Sequence, residues 1–267
     1  IDGRTALAVA SSHGHADALN TLVAAKASLD VQEKHGQTAL MLAIDAACAQ
    51  ALVAAGAQLD VRDKHGDTAL AVAATQGRVS VVQALVSAKA ALFVKNEHGQ
   101  TPLALAVKNN RSDVVQVLAL AEDDRSNTAL MMAAAAGDVA LMNVLLGVGV
   151  SLDNKNDEDE TALLLAVKHG HKDAAQVLVA AGASVDVCDK HGNTAVLLAA
   201  DAGRADVVRL LVSARASVFV ANADGYTPLL CAATKKHIEI VYVIAQVQDE
   251  YGNTLLSVAA QAGDLDA

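Results

Sequence analysis

The sequence predicts an all-α fold with β-hairpin fingers, a solenoid of stacked helix-turn-helix repeats. Three observations carry this. Pentads like Thr5-Ala6-Leu7 recur at Thr38, Thr68, Thr101, Thr128, Thr161, Thr194, Thr227 and Thr254, at gaps of 33, 30, 33, 27, 33, 33, 33 and 27 residues. A period near 33 signals modules that stack in one direction. Hydrophobic residues reach 53% of 267 while aromatics are 2% and Trp is absent, so no central core of large rings exists and burial rests on Ala, Leu and Val. Each module also repeats one order of signals: Thr, a short apolar run, a turn, a second apolar run of period near 3.6, then turn chemistry.

The sixth module shows the elements in order. Thr161 is suited to cap a helix start, and TALLLAVKHG reads as a short apolar helix ending at Gly170. KDAAQVLVAA, residues 172–181, gives the second helix, and Gly182 its left-handed cap. Asp186-Val187-Cys188-Asp189-Lys190-His191-Gly192 supplies the finger before Thr194 opens the next module. Small Ala residues allow close helix approach, Leu and Val fill the seams, and no module covers its own apolar face.

These residues resemble the ankyrin repeat family. Its pattern D-x-x-G-x-T-P-L, A-A, G-H, L-L, G-A is matched in parts by Asp189, Gly192, Thr194, Ala199, Gly203, Leu210, Leu211 and Ala216, and Gly-His stands at Gly14-His15 and Gly170-His171. The resemblance covers the whole chain. Three departures stand out. The family's His after T-P-L is replaced by Ala8, Met41, Ala71, Ala104, Met131, Leu164, Leu197, Leu230 and Ser257; the Pro is usually Ala; and the turn Gly is Ser126 in one module and Asp159 in another. Less rigid helix starts and two less regular turns are expected.

A longer period overlies the first. The gap series repeats every four modules, over 123 and then 126 residues. Pro102 and Pro228, the two prolines, and Phe93 and Phe219, the two phenylalanines, are each 126 apart. The expected organisation is repeats 1–4 over 1–122, repeats 5–8 over 123–248 and the start of a ninth over 249–267. The 27-residue modules lose six residues between the second helix and the next Thr, which predicts loss of the finger and a step in the stack. The 30-residue gap loses three residues near Asp45 to Cys48. Phe93 and Phe219 stand in the finger and are expected to pack the one that follows. The chain opens on Ile1-Asp2-Gly3-Arg4 without a signal peptide and ends inside a module, so a stretch of a longer array is expected.

Little in the sequence carries chemistry. Acidic balance, 30 Asp and Glu against 20 Lys and Arg, argues against nucleic acid or an anionic membrane as partner. No apolar run spans a bilayer. Cys48, Cys188 and Cys231 are too few for a disulfide framework; they read as buried reduced thiols, which places the chain in the cytoplasm. His13/His15 and His169/His171 lack a third converging ligand, so no metal is expected. Carboxylates at Glu122–Asp124 and Asp153–Glu160 read as solvated loop charge. No P-loop, GxSxG, HExxH or Cys-x-x-Cys spacing occurs, so neither an enzyme nor a cofactor is expected.

The resemblance implies a protein partner held by fingertips and first-helix ends. The matching positions are Lys34, His35, Lys64, His65, Glu97, His98, Lys190, His191, Tyr226, Lys235, Lys236 and Tyr251. His35, His65, His98 and His191 would form a polar stripe able to make binding pH-sensitive. Tyr226 and Tyr251 are the aromatic anchors, which places the strongest contact near the C-terminal modules. Two functions stay open: a scaffold recognising a protein, or a structural spacer or spring in a larger assembly. The irregular fingertips favour the first, the four-module period the second.

Overall fold

A computed structural model describes residues 3–248 and 254. Two compact units divide at Ala129/Leu130. In the first lie α1 (Ala6–Ser12), α2 (Ala16–Ala24), α3 (Ala39–Leu42), α4 (Ala46–Ala54), α5 (Ala69–Gln76), α6 (Val79–Ser87), α7 (Pro102–Lys108) and α8 (Ser112–Ala119). α9 (Ala129–Ala136) starts at the division, and the second unit continues with α10 (Val139–Val148), α11 (Ala162–His169), α12 (Lys172–Ala181), α13 (Ala195–Asp201), α14 (Ala205–Ser213), α15 (Pro228–Thr234) and α16 (Ile238–Ala245).

Each unit is built in two layers of helices. In the first unit α1, α3, α5 and α7 pack in succession, as do α2, α4, α6 and α8. In the second, α11, α13 and α15 form one layer and α10, α12, α14 and α16 the other. This is the α-solenoid that the period requires. Leu52, Leu85, Leu118, Leu145, Leu178, Leu211 and Ile244 hold one register position on the second helices, and all are buried. On the first helices Ala74, Ala106, Ala134, Ala166, Ala200 and Ala232 are fully buried, where a larger side chain would force the layers apart.

Helix starts are capped as the Thr period predicts. The hydroxyls of Thr5, Thr38, Thr68, Thr101, Thr161, Thr194 and Thr227 accept the N–H three residues on. Such a cap contributes about 1 kcal/mol. Pro102 and Pro228 occupy first helical positions, where no N–H is needed. The helix starts that carry Ala instead keep the same cap.

The 30-residue gap comes out of a helix. α3 has four residues against seven or eight in the other first helices, and Asp45 caps α4 through the Cys48 N–H at 2.9 Å. The turns that lack Gly are regular, contrary to expectation. Ser126 and Asp159 adopt φ of 60° and 59°, and the carboxylate of Asp123 and the amide of Asn156 close them as elsewhere. The surrounding hydrogen bonds hold the left-handed backbone that a side chain alone disfavours.

Cys48 and Cys231 are buried and Cys188 half-buried. Burial, then the neighbouring Asp45, pushes the Cys48 thiol up to about 11; burial also raises Cys231. An aromatic disulfide reagent at pH 7.5 is expected to modify Cys188 alone in the folded chain and all three thiols in denaturant. Rapid release of more than one equivalent from the folded chain would contradict this.

Candidate functional site

The fingers form as tight turns. At Glu33, Asp63, Asn96, Asp123, Asn156, Asp189 and Asn222, one side-chain oxygen accepts N–H groups two and four residues on. This leaves two residues at each tip turned outward. Single antiparallel bridges join Glu122 to Thr128, Cys188 to Thr194 and Gln248 to Thr254. The first 27-residue module therefore keeps its finger turn, Asp123–Asn127; the corresponding turn of the second lies outside the described residues. That module loses the loop between α8 and the turn, which corrects the expected loss of its finger.

Successive tips are tied through the backbone. Lys64 donates its N–H to the His35 carbonyl at 3.1 Å, Glu97 to His65 at 3.0 Å, Lys190 to Glu158 at 3.1 Å and Ala223 to His191 at 2.9 Å. Side chains add Asn96 Nδ2 to Asp67 at 2.9 Å and Asn222 Nδ2 to Asn193 at 2.9 Å. In the first unit this brings Lys34, His35, Lys64, His65, Glu97 and His98 into one exposed row. In the second, Lys190 and His191 sit exposed beside Glu158, with Lys190 Nζ 3.9 Å from its carboxylate.

Tyr226 and Lys235 share one groove of about 400 Å³ with Asn193, Asp201, Asn222 and Cys231. Tyr226 is 45% exposed, and Lys235 Nζ lies 2.7 Å from Asp201. The groove joins a fingertip to the ends of α13 and α15. Lys236 is exposed with φ 62° at the turn after α15. Tyr251 lies outside the described residues.

Glu160 departs from the solvated charge expected of its loop. It is buried, lies 2.6 Å from Lys168 Nζ and accepts from Asn156 Nδ2 at 3.2 Å. The bond from Glu160 raises the Lys168 ammonium above its ordinary value of 10.5. A raised pKa in the folded chain contributes stability below pH 10.5 and loses it as pH climbs through the folded value. Lys168→Met is expected to cost about 1 kcal/mol at pH 7, solvent screening of the half-exposed ammonium keeping it small. Denaturation at pH 7 and 11 checks this; the difference should narrow at pH 11.

The sequence reading missed a second relay. Asp30, Asp60, Asp153 and Asp186 accept the loop N–H of the next module, at Gln58, Ala91, Ser184 and Ser217, over 2.7–3.0 Å. Phe93 and Phe219 hold this register in the two modules that precede a 27-residue one. Phe93 lines one hollow with Glu122–Arg125 of the following finger, and the finger after Phe219 lies outside the described residues. The signal was legible as a periodic Asp interrupted by Phe at both modules that precede a short one. Among the described residues no group of three or more His, Cys, Asp or Glu is placed to hold a metal. His13 and His15 stack, ring centroids 5.8 Å apart. No helix among the described residues is long and apolar enough to cross a membrane.

Comparison with known proteins follows the same lines. The family model described as "Ankyrin repeats" matches in three copies, over residues 1–63, 45–129 and 130–222. No curated protein matches the chain. Among solved structures, the ankyrin repeat domain of Bcl-3, titled a unique member of the IkappaB protein family, is similar at 26% identity, over 91% of this chain and 100% of that one, with a TM-score of 0.41.

Proposed function

We propose, for a chain that belongs to the ankyrin repeat family, a role as a non-catalytic scaffold that binds a protein through its concave face and fingertips. Ankyrin repeats are in general protein–protein interaction modules. The observation that supports the finer reading is that paired tip residues project outward from turns fixed by hydrogen bonds within and between modules. A backbone preorganised in this way loses little freedom when a partner binds the side chains it carries. The contact set is Lys34, His35, Lys64, His65, Glu97, His98, Lys190, His191, Tyr226, Lys235 and Lys236, with Tyr251 as a further anchor. Tyr226 and Lys235 form its centre, since an aromatic anchor beside a charge in a groove is the usual seat of binding energy. The partner is a protein, the location the cytoplasm, and no nucleic acid, cofactor or membrane insertion is involved.

The test is quantitative capture of cellular proteins on the immobilised chain and on Tyr226→Ala/Lys235→Ala. At least one protein captured by the first should fall tenfold or more on the second. An unchanged bound set would sink the reading. The four-module period supports a second one, a structural spacer or spring in a larger cytoskeletal, channel or multi-subunit assembly. Single-chain stretching distinguishes it: reversible extension in steps of one or four modules favours the spring.

A further inference from the structure

The groove that holds Tyr226 and Lys235 carries balanced charge. Of its lining residues only Asp201 and Lys235 are charged, and Lys235 Nζ lies 2.7 Å from Asp201 Oδ1. The two side chains are 50% and 46% exposed for Lys235 and Asp201, so the pair is open to the groove that it lines. Among the described residues no other ion pair joins two first helices; the rest lie within or between fingers, between second helices, or between a finger and a helix.

The other polar groups of the groove are already in use. Asn222 Nδ2 donates to Asn193 Oδ1 at 2.9 Å, and Asn193 Nδ2 donates to Asp189 at 3.0 Å. Asn222 Oδ1 accepts the N–H groups of Asp224 and Tyr226. The Thr234 hydroxyl donates to the Leu230 carbonyl at 2.8 Å. What stays open is the pair itself. An ammonium has three N–H groups and a carboxylate two oxygens, and their contact uses one of each. Lys235 therefore offers donors and Asp201 an acceptor, side by side. Leu197 and Cys231 are buried and line the same groove with apolar surface, and the Tyr226 ring is 45% exposed.

Charges and dipoles behave differently at such a pair. A charged group is attracted by one member and repelled by the other at similar range, so the two contributions oppose each other. It also gives up hydration that neither member restores. An uncharged group that accepts on one side and donates on the other gains from both. A carboxamide is such a group, with one acceptor oxygen and two N–H donors. Gln carries it on two methylenes, which can lie on a ring, where Asn has one.

We propose that this groove receives the side-chain carboxamide of a Gln from the partner protein. Its oxygen accepts from Lys235 Nζ, its N–H donates to Asp201 Oδ2, and its methylenes lie against Tyr226. The inference rests on the fingertip reading and adds to it the residue that the partner presents.

The probes are four labelled peptides, Ser-Val-Xaa-Val-Ser with Gln, Met, Glu or Lys at Xaa, titrated by anisotropy against the whole chain. Met matches Gln in length without its hydrogen bonds. The Gln peptide is expected to bind at least fivefold more tightly than the other three. Removing one charge should transfer that preference to the charge opposite the one left behind. Asp201→Ala should then favour the Glu peptide and Lys235→Ala the Lys peptide. A charged peptide bound more tightly than by the unaltered chain is a gain that misfolding does not produce. Four results would overturn the proposal: binding of no peptide, equal binding of Gln and Met, a charged peptide preferred by the unaltered chain, or a preference that either variant fails to transfer. If cellular capture falls on Tyr226→Ala/Lys235→Ala while the Gln peptide has no advantage, this inference alone fails. Unchanged capture is instead the failure of the fingertip reading.

Discussion

Leu178→Ala is expected to lower the unfolding free energy by about 2–5 kcal/mol, read as a shift in denaturation midpoint. Leu178 is 0% exposed and occupies the register shared by Leu145 and Leu211 in neighbouring modules. Removing it opens a cavity among three helices, because α10 and α14 both pack on α12. With no large ring nearby to collapse into the space, relaxation is small. A stack of modules unfolds in nearest-neighbour fashion, so the loss should fall mainly on the α11–α12 module and its two interfaces. Hydrogen exchange resolves that: protection should drop in α10, α12 and α14 before it drops in α15. A loss under 1 kcal/mol would mean that the seams are not where the chain is held together.

Gly36→Ala is the second large effect, expected at about 2–4 kcal/mol. Gly36 has φ 81°, a conformation that costs a side chain about 1–2 kcal/mol. A Cβ there would also stand 2.9 Å from the backbone N of Lys64, which cannot rotate away. The control is Gly99→Ala. It has φ 73° but meets nothing within 4 Å, so strain alone remains and about 1–2 kcal/mol is expected. Gly66 and Gly192 behave like Gly36, with neighbouring backbone N at 3.0 and 3.1 Å, and Gly225 like Gly99. Both open glycines precede a 27-residue module. Denaturant unfolding of Gly36→Ala and Gly99→Ala should separate the two contributions; equal losses would show that tip-to-tip contact contributes nothing.

Local rules were readable from the residues alone. Thr capping, the helix pairs and the left-handed glycines each depend on neighbours within five positions, so one module displays them. What stayed hidden depends on the next module. The Asp relay spans 28 to 31 residues and looked like ordinary turn composition. Glu160 lay in a run of acids and read as solvated, yet Lys168, eight residues on, folds back to cover it. In the first short module the missing residues come from the loop and not from the finger, because spacing records how many residues are gone and not which element gives them up. Among the site residues, chain position placed Lys34, His35, Lys64, His65, Glu97 and His98 in one row; the meeting of Tyr226 with Lys235 required the helix ends to be packed.

The closing of each finger by one buried or half-buried oxygen has an evolutionary corollary. Hydrogen bonds to main-chain amides are indifferent to which side chains ride on top. The pairs Lys34-His35, Glu97-His98, Asp124-Arg125, Asp157-Glu158 and Ala223-Asp224 therefore sit on equivalent mounts. Mutation can rewrite such a pair without touching what keeps the mount upright. A lineage can then search for new affinities seven places at a time while its architecture stands still.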